Sequence, residues 1–155
     1  MNRPELLAIY LNDHLAGATG GVETARRARN SNEGTEFGEP LAQICEEIES
    51  DRETLEAVME ELGVARSRWK PALGWVGEKL GRLKPNGQLR GYSPLSRVVE
   101  LELLLVGITG KLRLWALLDE LVGEESSPDL GALIRRAEDQ RARVEDLEVR
   151  AARLL

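Results

Sequence analysis

Apolar side chains recur every three or four residues in four long stretches of the chain, the spacing that places them on one face of an α-helix. These stretches predict helices over residues 4–29, 40–62, 94–122 and 128–154. The third stretch is apolar on nearly all sides, which is typical of a helix that is largely covered by its neighbours. The pattern therefore predicts an all-α protein whose long helices pack as one four-helix bundle, a single domain over residues 1–155.

Proline, serine and glycine mark the ends of the predicted helices. Proline suits the first turn of a helix, where its missing N–H is not needed, and each stretch begins at one: Pro4, Pro40, Pro94 and Pro128. Ser93 and Ser127 precede two of these prolines and can cap free backbone N–H groups. Gly63 and Gly123 follow two helices and can adopt the left-handed conformation that ends a helix.

The connection between the second and third long helices, residues 63–93, is much longer than a turn between neighbours needs. Within it Leu73, Val76 and Leu80 keep helical spacing and predict a shorter helix over about 66–83. Such a helix would span about 27 Å, the length of the bundle. A helical crossover of this length lets the second and third long helices run parallel. The alternative is an up-down-up-down bundle with an appended helix.

Two long helices, a helical crossover and two more long helices resemble the ferritin-like four-helix-bundle superfamily across most of the chain. The sequence of residues 7–17, LAIYLNDHLAG, also resembles that of uncharacterised actinobacterial proteins of similar size. The resemblance implies a ferritin-like fold and a bacterial source. The di-iron motif of the superfamily, which includes Glu-x-x-His on two helices, is absent. His14 is the only histidine, and Leu11 stands three positions before it.

Composition favours a protein of the reducing cytoplasm. Cys45 is the only cysteine, so no intramolecular disulfide can form. The chain begins with no basic segment followed by an apolar run, and a signal peptide is not expected. The longest uncharged run of the most apolar helix, residues 103–110, is far shorter than the roughly 20 residues that span a bilayer.

Polar residues interrupt the apolar faces near the middle of the helices, and we expect them to meet in one internal layer. These residues are His14, Asp51, Arg52, Glu102 and Arg141. Buried charges must be paired, so the simpler interpretation is a salt-bridged layer that fixes helix register. The alternative is an anion site or a metal site, for iron or manganese, formed by His14, Asp51 and Glu102. The arginines disfavour the metal, because their positive charge competes with a cation.

Glycines cluster within two of the predicted helices, at residues 16–21 and at Gly107 and Gly110. Glycine within a helix costs roughly 1 kcal/mol relative to alanine, so the cluster needs a local reason. The expected reason is close approach of two helix backbones, and a bend at Gly20-Gly21 is the alternative. No strand–loop–helix context or Gly-Lys-Ser/Thr sequence accompanies the glycines, which argues against a phosphate-binding loop.

Residues 64–93 carry seven basic residues against one acidic residue, whereas the whole chain has a net charge of −6. Trp75 lies among these charges, and a partner-binding surface is expected from Trp75, Arg68, Lys70, Lys79 and Arg82. An anionic protein or a membrane surface would suit it, while the acidic chain as a whole disfavours nucleic acid. The simpler interpretation is that this basic segment docks on the acidic bundle itself.

The sequence therefore predicts a non-catalytic binding or protein-interaction module with no cofactor. One imidazole is too few for a Ser/His/Asp or Cys/His nucleophilic set. The expected partner is a second copy of the chain in a homodimer, or another protein. Leu103, Leu114 and Leu121 would add to the contact area. The competing prediction is a ferritin-like protein that binds iron or manganese, with oxidoreductase activity as one form of that prediction.

Overall fold

Residues 3–67, 92–122 and 128–155 are described in this structure, which is a computed structural model. Within these ranges the protein consists of four long α-helices, with no β-strand. The helices are α1 Arg3–Ser31, α2 Gly38–Glu61, α3 Pro94–Val122 and α4 Leu130–Ala152. The predicted all-α class and the four long helices are confirmed, and every observed end lies within two residues of the predicted one.

The start of α4 differs from the prediction because a different residue caps it. Asp129 precedes Leu130, and its carboxylate accepts a backbone N–H of the first turn at 2.8 Å. Asp129 therefore acts as the N-cap, and Pro128 lies outside the helix. The predicted cap Ser127 and the predicted terminator Gly123 lie outside the described residues.

Two other predicted helix ends are confirmed in detail. The hydroxyl of Ser93 accepts the Ser96 N–H at 3.1 Å at the start of α3. Gly63 follows α2 with a φ of +65°, a conformation that side chains other than glycine rarely adopt. The Val64 N–H then donates to the Met59 carbonyl at 2.8 Å, and Val64 packs against the core cluster that contains Met59. This is the Schellman arrangement that stops a helix and turns the chain.

Helices α2 and α3 run parallel to each other and antiparallel to α1 and α4. The buried core is divided along its length into two clusters. The first core cluster contains residues 22–28 of α1, 41–48 of α2, 98–108 of α3 and 144–151 of α4. The second contains Leu11 of α1 together with residues 55–59 of α2, 114–118 of α3 and 130–137 of α4. The chain therefore passes from the second cluster to the first in α1 and α4, and in the opposite direction in α2 and α3.

The described chain leaves α2 at one end of the bundle and returns to α3 at the other. Next to the C-terminal end of α2, the Asn12 side chain donates to the Ala65 carbonyl at 3.1 Å and accepts the Ser67 N–H at 2.6 Å. At the opposite end, Asn32 donates to the Tyr92 hydroxyl at 3.1 Å. Asn12 of α1 and Asn32, the residue after α1, thus hold the two ends of the connection. The crossover helix predicted over 66–83 lies mostly outside the described residues.

The neighbouring helix pairs follow from this order. Helix α1 packs against α2 and α3, and α3 packs against α4. Helices α2 and α4 are joined by long charged side chains, among them Glu47 and Arg143 at 2.5 Å. In the part of the chain that the structure describes, no helix has the length and apolar character that crossing a membrane requires.

Candidate functional site

A cavity of about 300 Å³ lies between α1, α2 and α3, near the middle of the bundle. Helix α1 contributes Asp13, His14, Gly17, Ala18, Gly20, Gly21 and Thr24; α2 contributes Ile48, Asp51, Arg52 and Leu55; and α3 contributes Leu103, Leu104, Val106, Gly107, Ile108, Gly110, Lys111, Leu114 and Trp115. Gly17, Val106 and Gly107 are exposed, so the cavity opens to solvent between α1 and α3.

The cavity lies where the two core clusters meet. Ile48 and Ile108 on its wall belong to the first cluster, and Leu55 and Trp115 belong to the second. Most of the wall is apolar, with a small number of polar groups on α1, α2 and α3. A mainly apolar space with few polar groups is typical of small-molecule sites in proteins.

Asp51 is the centre of a buried polar network on this wall. Its side chain is 3% exposed, and both of its oxygens accept hydrogen bonds. Arg136 donates to Oδ1, while Lys111 and the Gln140 amide donate to Oδ2, the latter at 3.1 Å. Lys111 also donates to the Gln140 carbonyl oxygen. The network joins α2, α3 and α4 at one level, so a shift of any of these helices would break buried hydrogen bonds.

Lys111 is the buried cation of this network. Its side chain is 15% exposed, and burial lowers the pKa of its ammonium group. The Asp51 carboxylate beside it offsets part of that shift, because a negative neighbour favours the charged amine. The result is an ammonium group held at the cavity wall by one carboxylate and one amide.

Four glycines on the cavity wall leave open space and do not bring helices together. A Cβ atom built at Gly17, Gly21, Gly107 or Gly110 would meet no other atom within 4 Å. The prediction of close backbone approach is wrong for these four positions. In contrast, a Cβ at Gly38 would lie 2.7 Å from the Asn32 carbonyl oxygen, which is a real close approach at the start of α2.

Two hydrogen-bond donors on cavity-lining residues are buried without a partner among the described residues. They are the indole Nε1–H of Trp115 and the Nε–H of Arg52. Trp115 is 1% exposed, whereas Arg52 is partly exposed and uses its Nη2 to bind Glu56 at 2.6 Å. A buried donor without an acceptor costs about 1–3 kcal/mol, so such groups call for an explanation.

His14 and Asp51 both line the cavity, and His14 also contacts an aromatic ring on its own helix. The imidazole lies edge-on to Tyr10, with ring centroids 4.5 Å apart and the planes inclined by 64°. Burial lowers the pKa of His14, and the nearby Asp13 carboxylate offsets this in part. The histidine is thus a half-buried, mainly neutral group at neutral pH, one turn from the cavity mouth.

The internal layer has a different membership from the predicted one. Asp51 is its carboxylate, and Arg52 lies beside the cavity as Asp51 does. Glu102 is exposed and does not line the cavity. Arg141 lies 3.6 Å from Glu145, one turn further along α4. The positions expected for Glu102 and Arg141 are taken by Lys111 and by the pair Arg136 and Gln140, which reach Asp51 directly.

A regular spacing in the sequence identifies three members of the real layer. Buried positions in α4 alternate by three and four residues: Leu130, Leu133, Ala137, Gln140, Val144, Leu147 and Ala151. The same alternation places Asp51 between Ile48 and Leu55 in α2, and Lys111 between Ile108 and Trp115 in α3. This is the spacing of helices that share one seam, and a polar residue within it faces the other helices.

The predicted partner surface falls outside what the structure describes. Arg68, Lys70, Trp75, Lys79 and Arg82 all lie in the range 68–91. Of the additional contact residues, Leu121 is exposed and Leu103 lines the cavity, but Leu114 is 1% exposed and belongs to the second core cluster. Leu114 is therefore a core residue and offers no contact area, and a homodimer stays a prediction.

A second polar network joins the end of α1 to the start of α3. Glu100, 3% exposed, accepts from Arg27 Nε at 2.6 Å and from the Tyr92 hydroxyl at 2.7 Å. Asn32 donates to the same hydroxyl and accepts from Arg97 Nε at 2.6 Å. All of these contacts are at the bundle end, away from the cavity, and they serve to position Tyr92 where the chain enters α3.

Both tyrosines should resist ionisation in the folded protein. Burial, followed by the hydrogen bond to Glu100, raises the pKa of Tyr92, and burial raises the pKa of Tyr10 against the opposing charge of Arg113. In the unfolded chain both should ionise near pH 10. Their contribution to stability is therefore complete below about pH 10 and declines as pH rises above it, because the unfolded state loses its protons first.

Phenolate absorbance followed during a pH titration of native and urea-unfolded protein checks this expectation. The tyrosines of the native protein should ionise at higher pH than those of the unfolded protein. Replacing Tyr92 by Phe should leave only the smaller displacement that belongs to Tyr10. Coincident native and unfolded curves would show that neither hydroxyl is buried as described.

The donor groups of this site do not match the metal alternative. In the ranges that the structure describes, no three His, Cys, Asp or Glu side chains group closely enough to hold a metal ion. Both oxygens of Asp51 are already engaged by cations and an amide, and Glu102 lies outside the cavity. Comparisons with protein-family models, with curated proteins and with solved structures gave no match to this chain.

Proposed function

We propose that this protein is a non-catalytic, ferritin-like helical bundle that binds a small, mainly apolar molecule in its central cavity. The observation that carries the proposal is the cavity of about 300 Å³ whose wall includes four glycines with open space beside them. Its volume is at the lower end of the range of small-molecule sites. Bundle proteins commonly build such sites in the core, from side chains of facing helices.

The glycines support this proposal because they carry a cost that packing does not explain. Each glycine inside a helix destabilises it by roughly 0.5–1 kcal/mol relative to alanine. At Gly17, Gly21, Gly107 and Gly110 an alanine methyl group would fit without a collision. Stability alone would favour alanine at all four positions. The space that the glycines leave open is the property that distinguishes them from alanine.

The ferritin-like part of the proposal is supported by the direction of the helices. Helices α2 and α3 run parallel, and α1 and α4 run antiparallel to both. This order needs one long connection between the second and third helices, which is the topology of ferritin-like bundles. The proposal transfers the architecture only, because the di-iron motif is absent from the sequence.

Fluorescence of Trp115, a residue of the cavity wall, provides the test. Trp69 and Trp75 are first replaced by Phe so that Trp115 is the sole tryptophan emitter. Titration with 1-octanol and with octanoate should give a saturable change for at least one of them, because each places an eight-carbon chain in the cavity. Replacing Gly110 by Leu should abolish the saturable change, since the new side chain occupies the same space.

The matched control is Thr109→Leu, which adds an exposed leucine to the same helix at a position that does not line the cavity. Thr109→Leu should bind as the parent does. Helical circular dichroism and urea unfolding should show both leucine variants folded, because a Cβ at Gly110 meets no neighbour. Absence of saturable binding for both probes, or equal binding by the two leucine variants, would refute the proposed function.

A further inference from the structure

The buried polar network beside the cavity places two cations on one carboxylate. Asp51 is its one buried carboxylate among the described residues. Two cations, Lys111 and Arg136, bind that single carboxylate, and Gln140 is neutral. Arg136 is one third exposed and does not line the cavity, so Lys111 is the cation of this network that faces the cavity, and it shares its bonded carboxylate with Arg136. An apolar surrounding strengthens the attraction of such a charge for an anion.

A second carboxylate beside the cavity is shared in the same way. Glu56 binds Arg52 at 2.6 Å and Arg66 at 3.1 Å. Arg52 lines the cavity, so a second cation on the wall shares its counter-charge with another residue. Asp13, the remaining acidic residue of the lining, is exposed at the rim, where water screens its charge.

The buried side-chain atoms of the wall that lack a hydrogen-bond partner among the described residues are donors. The Lys111 ammonium has three N–H groups, and the described contacts to Asp51 and Gln140 use two. The Nε–H of Arg52 and the Nε1–H of Trp115 are buried and have no partner in the described ranges. Both oxygens of Asp51, in contrast, already accept. A molecule that enters this space is best matched when it brings acceptor atoms.

We infer that the ligand is an apolar carboxylate, a monoanion whose hydrocarbon part fills the glycine-lined space and whose carboxylate binds the cationic wall at Lys111 and Arg52. This inference rests on the proposed function. A carboxylate supplies a negative charge for two cations that share their carboxylates with other residues, and acceptor oxygens for the buried donors. An alcohol of the same length supplies only the acceptor, and an amine adds a third cation to the wall.

Three probes with one chain length and different head groups test the inference: octanoate, 1-octanol and octylammonium. The protein carries Trp69→Phe and Trp75→Phe, and the fluorescence of Trp115 reports binding. Octanoate should bind roughly tenfold or more tightly than 1-octanol, the ratio expected for one charge-assisted hydrogen bond. Octylammonium should bind more weakly than either.

Replacing Lys111 by Met should reduce the preference for octanoate over 1-octanol to about twofold or less, while binding of 1-octanol persists. Because Lys111 is buried in a network, a second variant is included: Arg52→Gln, at a partly exposed position, should lower the same preference without a large change in stability. The matched control is Arg26→Gln, an exposed arginine paired with Glu49 outside the cavity lining, which should leave the preference unchanged.

The outcomes separate the two proposals. Tight, saturable binding of 1-octanol and octanoate with equal affinity would overturn the carboxylate inference and leave the cavity function standing. An unchanged preference in both Lys111→Met and Arg52→Gln would also overturn it. No saturable change with any probe would remove the proposed function itself. A preference for octanoate that Lys111→Met or Arg52→Gln lowers, and that Arg26→Gln leaves intact, supports both.

Discussion

Replacing Asp51 by Asn is expected to lower the free energy of unfolding by about 3 kcal/mol. The carboxylate is the shared counter-charge of Lys111 and Arg136 in the middle of the bundle. Removing it leaves the Lys111 ammonium, with a side chain only 15% exposed, without its hydrogen-bonded carboxylate. Arg136 is one third exposed and can turn toward water, so we expect the lower end of the range measured for broken buried ion pairs.

The matched control for Asp51→Asn is Glu47→Gln, one turn earlier on the same helix. Glu47 binds Arg143 across the same helix pair, but both side chains are about 30% exposed. Ion pairs that remain accessible to water contribute about 1 kcal/mol or less. Urea unfolding of both variants, followed by circular dichroism, measures the difference. Equal losses of unfolding free energy in Asp51→Asn and Glu47→Gln would mean that the buried Asp51 network stabilises the fold no more than an exposed ion pair does.

The four helices could be predicted from the sequence because each buries one side along its whole length. In α2, the spacing of Leu41, Ile44, Ile48 and Leu55 is enough to define a face, and the cap residues limit its ends. Asp129 was missed as the cap of α4 because Ser127 and Pro128 precede it and give the same signal. Which of several adjacent cap residues is used depends on the path of the chain into the helix, which only the structure shows.

The partners of Asp51 were harder to predict, for two different reasons. Gln140 and Lys111 occupy seam positions, and strict alternation by three and four residues identifies them. Arg136 is a flanking residue that reaches the network with the end of a long side chain. Such reach depends on the separation of α2 and α4, and no pattern within one helix encodes it. Arg141 has equally suitable spacing in the sequence but pairs along its own helix.

The glycines show why the cavity could not be predicted. Within a helix, a glycine that permits close approach and a glycine that leaves a void have the same sequence signature. Gly110 has empty space beside it, while Gly38 lies against a backbone carbonyl. The difference depends on the distance to the facing helix. That distance is set by contacts elsewhere in the bundle, which the sequence of one helix does not encode.

Trp115→Ala is expected to cause the largest loss, about 3–5 kcal/mol of unfolding free energy. Trp115 is 1% exposed and is the largest fully buried side chain among the described residues. It lines the cavity and belongs to the second core cluster. Its removal would therefore join the new void to a space that already exists, next to helices that the Asp51 network links.

Because that enlarged space is open to solvent, indole should restore part of the lost stability of Trp115→Ala. A ligand that binds only the folded state stabilises it, by about 1.4 kcal/mol at ten times its dissociation constant.

The matched control is Leu101→Ala, fully buried in the first core cluster and not part of the cavity wall. It should lose about 2–5 kcal/mol without recovery by indole. Urea midpoints with and without indole measure both effects. Equal recovery in both variants, or none in Trp115→Ala, would contradict a cavity that continues from the bundle surface to the Trp115 side chain. Recovery confined to Trp115→Ala would place the indole-sized space next to Asp51 and Lys111, where the proposed carboxylate would be held.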